Sequence, residues 1–249
     1  MERKFRGVIL AGGTGTRLRP ASLQTNKHLL NILNEQMILF PLRTLISLGV
    51  KDILLISGGG HVGGFSELLG DGSQYGASIR YQIQKEASGI AQALGLAEDF
   101  AHGETTITIL GDNVYGDITK VFIGSDFDHP LHPNQAAILV KKMPDASRFG
   151  VLMGNSFVGE NHYRIVEKPQ NISTGDVVTG LYVYPPSVFD IIKTLKPSAR
   201  GEYEISDVNN YYLENNNCRI YRLHDEFWND CGTRDSLYET TEWVYKNNK

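Results

Sequence analysis

The chain has 249 residues, which allows one or two domains. Its 41% hydrophobic and 21% charged residues are a globular composition, which argues against extended disorder. Lys and Arg number 24 against 28 Asp and Glu, a net charge of −4, so nothing points to nucleic acid as a partner; two cysteines, Cys218 and Cys231, exclude a disulfide framework and a cysteine-built metal site.

Met1 to Lys4 lead straight into Gly7–Leu10, which reads as a buried strand. That apolar run is too short for a signal h-region, and no stretch approaches the ~18 apolar residues of a membrane span. The expectation is a soluble cytoplasmic protein with no membrane partner. Helical spacing covers 36–48, with Gly49 as its stop. Asp52 to Ser57 (DILLIS) is a second buried strand, followed by a helix around 65–69. A strand at 79–83, an Ala- and Leu-rich helix over 89–100, and the β-branched strand 105–110 (TTITIL) continue the alternation. Strands alternating with helices imply βαβ units and a mainly parallel sheet.

The second half is more mixed. Strands are expected at 135–140, 150–153, 163–166 and 179–184, without intervening helices. Pro186 opens a helix to residue 195. A helix over 204–214, a strand over 218–223 and a closing helix over 233–245 complete the chain. Neither a low-complexity linker nor an internal repeat is present. The fold class expected is α/β, a Rossmann-like, mainly parallel sheet flanked by helices, with an inserted mixed or antiparallel region. Residues 1–249 read as one domain.

The strongest chemical signal is Leu10-Ala11-Gly12-Gly13-Thr14-Gly15-Thr16-Arg17-Leu18-Arg19-Pro20, directly after the first strand. A loop at the carboxyl end of a strand in an open α/β sheet is where ligands bind. Glycines let backbone N–H groups converge on one anion, and Arg17 and Arg19 add phosphate donors. A purely structural turn would need fewer glycines. A dinucleotide fingerprint fails because Leu18 stands where its third glycine should fall, and the Gly-Lys-Ser/Thr of a Walker loop is absent. What remains is a triphosphate loop of another kind.

This string resembles the signature of the sugar-1-phosphate nucleotidyltransferases. The lysine-bearing segment Thr25-Asn26-Lys27-His28-Leu29-Leu30 follows it as in that family. Gly89-Ile90-Ala91-Gln92-Ala93, Leu110-Gly111-Asp112-Asn113, Glu167-Lys168-Pro169, Val178-Thr179-Gly180-Leu181-Tyr182, Lys196-Pro197-Ser198-Ala199-Arg200-Gly201-Glu202 and Trp228-Asn229-Asp230-Cys231-Gly232-Thr233 come in family order. Together they resemble the glucose-1-phosphate thymidylyltransferases, in a short form lacking an extra C-terminal helical segment. The resemblance implies synthesis of dTDP-glucose and pyrophosphate from dTTP, or UTP, and glucose 1-phosphate. It implies Mg²⁺ as cofactor and a homo-oligomer, dimer or tetramer. The alternative left open is a uridylyl- or other nucleotidyltransferase acting on another sugar 1-phosphate. A non-catalytic nucleotide-sugar sensor would be expected to lose Arg17, Lys27 or one of the aspartates, and all are present; an NAD-dependent oxidoreductase lacks its third fingerprint glycine.

The resemblance also distributes roles. Arg17, Lys27 and Asp112 would be catalytic. The nucleotide would meet Leu10 through Arg17, Gln84, Gly89 and Asp112, with Gln84 and Gly89 reading the base. A Gln amide both donates and accepts, which suits an imide edge. The sugar phosphate would meet Asn113, Gly150, Glu167, Lys168, Val178, Thr179, Gly180 and Arg200. Asp112 and Asp230 would share the metal, since Mg²⁺ takes few carboxylates beside phosphate oxygens and water; Asp230 also suits a helix cap. Departures from the pattern are Asn31 and Ala87, where Pro is frequent, and Phe149, where Tyr is frequent.

Overall fold

The computed structural model describes residues 5–123, 132, 134–157 and 160–247. In the first half, β1 (Phe5–Ala11) is followed by the short strands β2 (Asn31–Ile32) and β3 (Glu35–Gln36). Then come α1 (Leu39–Ser47), β4 (Asp52–Gly58), α2 (Val62–Leu69), β5 (Ser78–Gln84), α3 (Ile90–Gly95), α4 (Glu98–Ala101), β6 (Thr105–Leu110), β7 (Asn113–Tyr115) and α5 (Thr119–Ile123). The second half holds β8 (Ala136–Pro144), β9 (Gly150–Phe157), β10 (Glu160–Glu167), β11 (Thr174–Tyr184), α6 (Val188–Thr194), α7 (Ile205–Glu214), β12 (Cys218–Leu223), β13 (Trp228–Asp230) and α8 (Arg234–Asn247).

A nine-stranded sheet runs β10-β9-β11-β6-β1-β4-β5, with β8 beside β11 and β12 beside β8. Strands β6, β1, β4 and β5 are mutually parallel. β1 is central, and Gly7 to Ala11 are buried on both faces, as its unbroken apolar run requires. β11 runs antiparallel to β6, β8 and β9, so the expected mixed region extends the same sheet. One apolar layer, including Ile9, Leu42, Phe65 and Ile109, lies under α1 and α2. The opposite layer, including Leu94, Phe189, Val208 and Tyr212, lies under α3, α6 and α7. A small third cluster of Ile32, Met37, Val114, Cys231 and Val244 seats α8.

Several boundaries differ from the sequence expectation for physical reasons. The helix expected from residue 36 starts at Leu39, because Gln36 pairs with Asn31 and the Ile38 N–H donates to the His28 carbonyl. The helix expected over 89–100 is split into α3 and α4. Gly95 weakens its middle, and Ala97 sits at φ −89°, ψ 0°. The helix expected from Pro186 begins at Val188. The strands β7 and β13 pair antiparallel and were not expected; three-residue strands carry too little alternation to be read. Among the described residues, no helix is long and apolar enough to cross a membrane.

Candidate active site

The glycine loop leaves the end of β1, Gln84 ends β5, and Asp112 follows β6. All three therefore sit at the carboxyl edge of the parallel strands. They line one cavity of about 220 Å³ with Leu10, Gly12, Gly13, Lys27, His28, Gly89 and Glu202. Of the proposed nucleotide residues, Leu10, Gly12, Gly13, Gln84, Gly89 and Asp112 are thus brought together; Ala11 is buried within β1, and Thr14, Gly15, Thr16 and Arg17 lie outside this lining, farther along the loop. Glu202 carries the segment 196–202 to the same cavity.

In the cavity wall, Gln84 is buried and its amide nitrogen donates to Gln92 Oε1 at 2.8 Å. Its Oε1 lies against Gly12, where an added Cβ would stand 2.5 Å from it, so the loop approaches only because residue 12 has no side chain. Gly89 adopts φ +108°. Its neighbours are fixed by Tyr203, whose N–H donates to the Ser88 carbonyl and whose carbonyl accepts from the Ala91 N–H.

Lys27 opens a 3-10 turn whose N-cap is Asn26. Asn26 donates to the Ala11 carbonyl through Nδ2, so its Oδ1 is the acceptor for both the His28 N–H and His28 Nδ1. That assignment puts the imidazole proton on Nδ1 and leaves Nε2 as a lone-pair acceptor. Burial and the Lys27 charge hold the His28 pKa down at about 3, so the ring is neutral. Sequence reading missed His28; the Asn at the cap two residues earlier was the available signal.

The Lys27 ammonium is paired with Asp112 Oδ2, and Asn113 Nδ2 donates to Asp112 Oδ1 at 3.0 Å. Burial alone would raise the Asp112 pKa, but the Lys27 charge dominates and holds it below the usual carboxylate range. Burial lowers the Lys27 pKa, and Asp112 more than restores it. The Asp112 carbonyl accepts from the Cys231 N–H at 2.8 Å, which brings the Asp230 turn beside it. Burial and the Asp112 carboxylate push Asp230 up to about 6.

Asp230 Oδ1 accepts from the Gly232 N–H at 2.7 Å, while the Ser236 N–H at the start of α8 is met by Thr233 Oγ1. Helix capping therefore falls to Thr233. Arg17 is exposed on its loop, with its guanidinium against Gly232. Two mutually repelling carboxylates, Asp112 in the cavity wall and Asp230 beside it, fit a divalent cation. Among the described residues no group of three or more His, Cys, Asp or Glu forms a closed cage, so phosphate oxygens and water would complete the coordination. Well above pH 6, Asp230→Asn should raise the melting temperature of the metal-free protein by about 2–4 °C, the shift produced by ~1 kcal/mol of relieved repulsion in a chain of this size. Turnover should fall in the same variant. Scanning calorimetry beside an activity assay checks both; a lowered melting temperature would make Asp230 a turn residue.

The acceptor-side residues divide between direct and supporting positions. Glu167 and Arg200 line a separate cavity of about 580 Å³ with Ser206 and Glu204. Glu167 accepts from Ser206 at 3.1 Å and from Arg200 at 3.3 Å. Arg200 is held mainly by Glu204 at 2.8 Å, so reaching a phosphate requires it to leave that carboxylate. Lys168 is half exposed beside Glu167. Gly150 lies against Glu167, and Val178 is half buried on β11. Thr179 is fully buried, and its hydroxyl donates to the Leu139 carbonyl at 3.1 Å. Asn113 is buried and engaged: its Oδ1 accepts from the Gly180 N–H at 3.0 Å and from Trp228 Nε1 at 2.7 Å. It ties the carboxylate turn to the strand bearing Gly180.

A family model for nucleotidyl transferases matches residues 6–247. The glucose-1-phosphate thymidylyltransferase of Neisseria meningitidis is 38% identical over 249 residues, covering 96% of this chain and 82% of the relative. That of Mycolicibacterium smegmatis is 37% identical over 242 residues, with the same shares covered. A crystal structure from Bacillus anthracis, provisionally designated a glucose-1-phosphate thymidylyltransferase and in complex with a sucrose, gives a TM-score of 0.88 at 38% identity, over 98% of this chain and 97% of that one. A UDP-glucose pyrophosphorylase complexed with UDP-glucose shares the fold alone, with a TM-score of 0.82 at 19% identity over 98% and 99% of the two chains. Sequence relatives and architecture agree along almost the whole length, and the chain belongs to the nucleotidyl transferase family.

Proposed function

We propose that this protein transfers a thymidylyl group from dTTP to glucose 1-phosphate, giving dTDP-glucose and pyrophosphate. The observation that carries the reading is the one cavity lined together by Gln84, Gly89, Gly12, Gly13, Lys27 and Asp112, with Lys27 beside Gly13 and paired with Asp112. The names of the relatives support the choice of base and sugar. The continuous sheet through both halves supports one catalytic domain over residues 1–249.

The chemistry needs no general base. A phosphate monoester has a second pKa of about 6 and is largely ionised at neutral pH. The barrier comes from bringing anions together and stabilising charge as the pyrophosphate leaves. Lys27 and Arg17 supply fixed positive charge on either side of the glycine loop, Lys27 toward the reacting phosphates and Arg17 toward the leaving group. Glu167 would accept from sugar hydroxyls, and Lys168 and Arg200 would hold the acceptor phosphate, with the backbone of Gly150, Val178, Thr179 and Gly180 as the pocket wall. Asp112 and Asp230 would hold Mg²⁺, which when bound supplies charge neutralisation at the triphosphate. A homo-oligomer remains the assembly expected from the family resemblance.

Competition kinetics with equal concentrations of dTTP, UTP, CTP and ATP against several sugar 1-phosphates, read by pyrophosphate release, tests this reading. The pyrimidine imides should be preferred over CTP by about tenfold or more, since a mispaired buried amino group costs ~1–3 kcal/mol. dTTP should exceed UTP by less, as one methyl is worth ~1 kcal/mol or slightly more. Equal use of CTP or ATP would remove Gln84 and Gly89 from base reading. Preference for another sugar 1-phosphate would overturn the acceptor.

A further inference from the structure

Each carboxylate oxygen of Asp112 is engaged by a neighbouring side chain, Oδ2 by the Lys27 ammonium and Oδ1 by Asn113 Nδ2. Both charged side chains are largely buried, at 13% and 12% exposure, so the pair is neither loosely solvated nor easily swapped for water. Lys27 also lines the cavity beside Gly12 and Gly13, within reach of the loop where phosphates would lie. One ammonium thus stands between two anionic partners, a carboxylate on one side and an anion site on the other. Arg17, the neighbouring cation, makes no such claim on Asp112; its guanidinium lies against Gly232.

We infer that Lys27 is a placeholder for the divalent cation at Asp112, so that Asp112 becomes a metal ligand only when nucleotide phosphates draw Lys27 away. The inference rests on the reading of this cavity as a triphosphate site. It gives Lys27 a role in the order of assembly in addition to its contact with phosphate. Without nucleotide, the ammonium balances the Asp112 carboxylate and leaves Asp230 alone facing a cation. With nucleotide, the ammonium turns to the phosphates, the carboxylate is freed, and the cation gains two protein ligands together with phosphate oxygens. The ammonium moves from the carboxylate to the phosphates, and the divalent cation takes its place beside Asp112. Metal and nucleotide therefore bind with positive coupling, and a metal ion without nucleotide binds poorly.

The test is titration of the full-length, nucleotide-free protein with Mn²⁺, followed by the loss of the free-ion electron paramagnetic resonance signal. Wild type should bind weakly. Lys27→Met should bind at least about tenfold tighter, because the competing internal cation is gone. Lys27→Arg, which keeps a cation on Asp112, should stay close to wild type. Arg17→Met removes an equal charge from the same neighbourhood without freeing Asp112, and should tighten binding much less than Lys27→Met. Tight Mn²⁺ binding by the wild type, no gain in Lys27→Met, or an equal gain in Arg17→Met would each overturn the proposal. If Lys27→Met does not fold, reductive methylation of the wild type and of Asp112→Asn, mapped by mass spectrometry, decides instead. Lys27 should be protected in the first and readily labelled in the second; equal labelling overturns the proposal. Because neither assay uses turnover, a failure to make dTDP-glucose would leave these readouts intact and be recognised separately.

Discussion

Asp112→Asn should reduce turnover by about a thousandfold or more while leaving the fold in place. The carboxylate is the one acidic group in the cavity that faces both Lys27 and the Asp230 turn. Asn has the same shape and can still accept a hydrogen bond, but it brings no charge to a metal. Losing metal-centred charge stabilisation costs several kcal/mol in the barrier, and each ~1.4 kcal/mol is a factor of ten. The fold survives because the Asn side-chain oxygen can still accept from the buried Lys27 ammonium. Pyrophosphate release measured beside circular dichroism and a melting curve checks both parts. Near-normal turnover at limiting Mg²⁺ would remove Asp112 from the metal site.

A different kind of loss is expected from Gly89→Ala. At φ +108° an alanine is strained by about 1–3 kcal/mol. Its Cβ would also stand 2.5 Å from the Tyr203 carbonyl oxygen and 2.7 Å from the Tyr203 nitrogen. Those are backbone atoms, and Tyr203 is bonded to both Ser88 and Ala91, so it cannot retreat without breaking the pair that holds this turn. The variant should lose about 3 kcal/mol or more of stability and bind triphosphate more weakly, since Gln84 rests on the same turn. Gly76→Ala is the control: its φ is +74°, but an added Cβ meets nothing within 4 Å, so only the strain remains. Denaturant titration and the triphosphate KM separate the two. Equal stability of the two variants would show that the Tyr203 segment yields.

Much of this site was legible because a loop that binds phosphate must be written in a few residue types. Glycines and a lysine after β1 and an aspartate after β6 mark two strand ends, and these are adjacent strands of a parallel sheet, so the ends lie side by side. The rest depends on partners that no spacing reveals. Arg200 reads as a phosphate donor, yet Glu204 four residues later takes it first. Thr179 reads as a pocket wall, yet its hydroxyl turns to Leu139 on the neighbouring strand. The pairing of Lys27 with Asp112 joins residues 85 apart, and only the fold determines that they meet. Helix limits were blurred where backbone groups were claimed by something nonhelical, as at Gln36 and at the break after Gly95.

The ladder between β7 and β13 has a consequence for how the enzyme comes into being. Trp228 and Asn113, joined through it, are 115 residues apart, and Asp230 reaches Asp112 by the same route. During synthesis, every residue lining the nucleotide cavity except Glu202 has been made once Asp112 leaves the ribosome. The second carboxylate arrives only after the whole antiparallel half has been built. A nascent chain can thus shape much of the cleft long before it holds both carboxylates of the proposed metal site. On that proposal, activity waits for the last long-range strand pairing to close, and the order of translation keeps a partly made chain from premature chemistry.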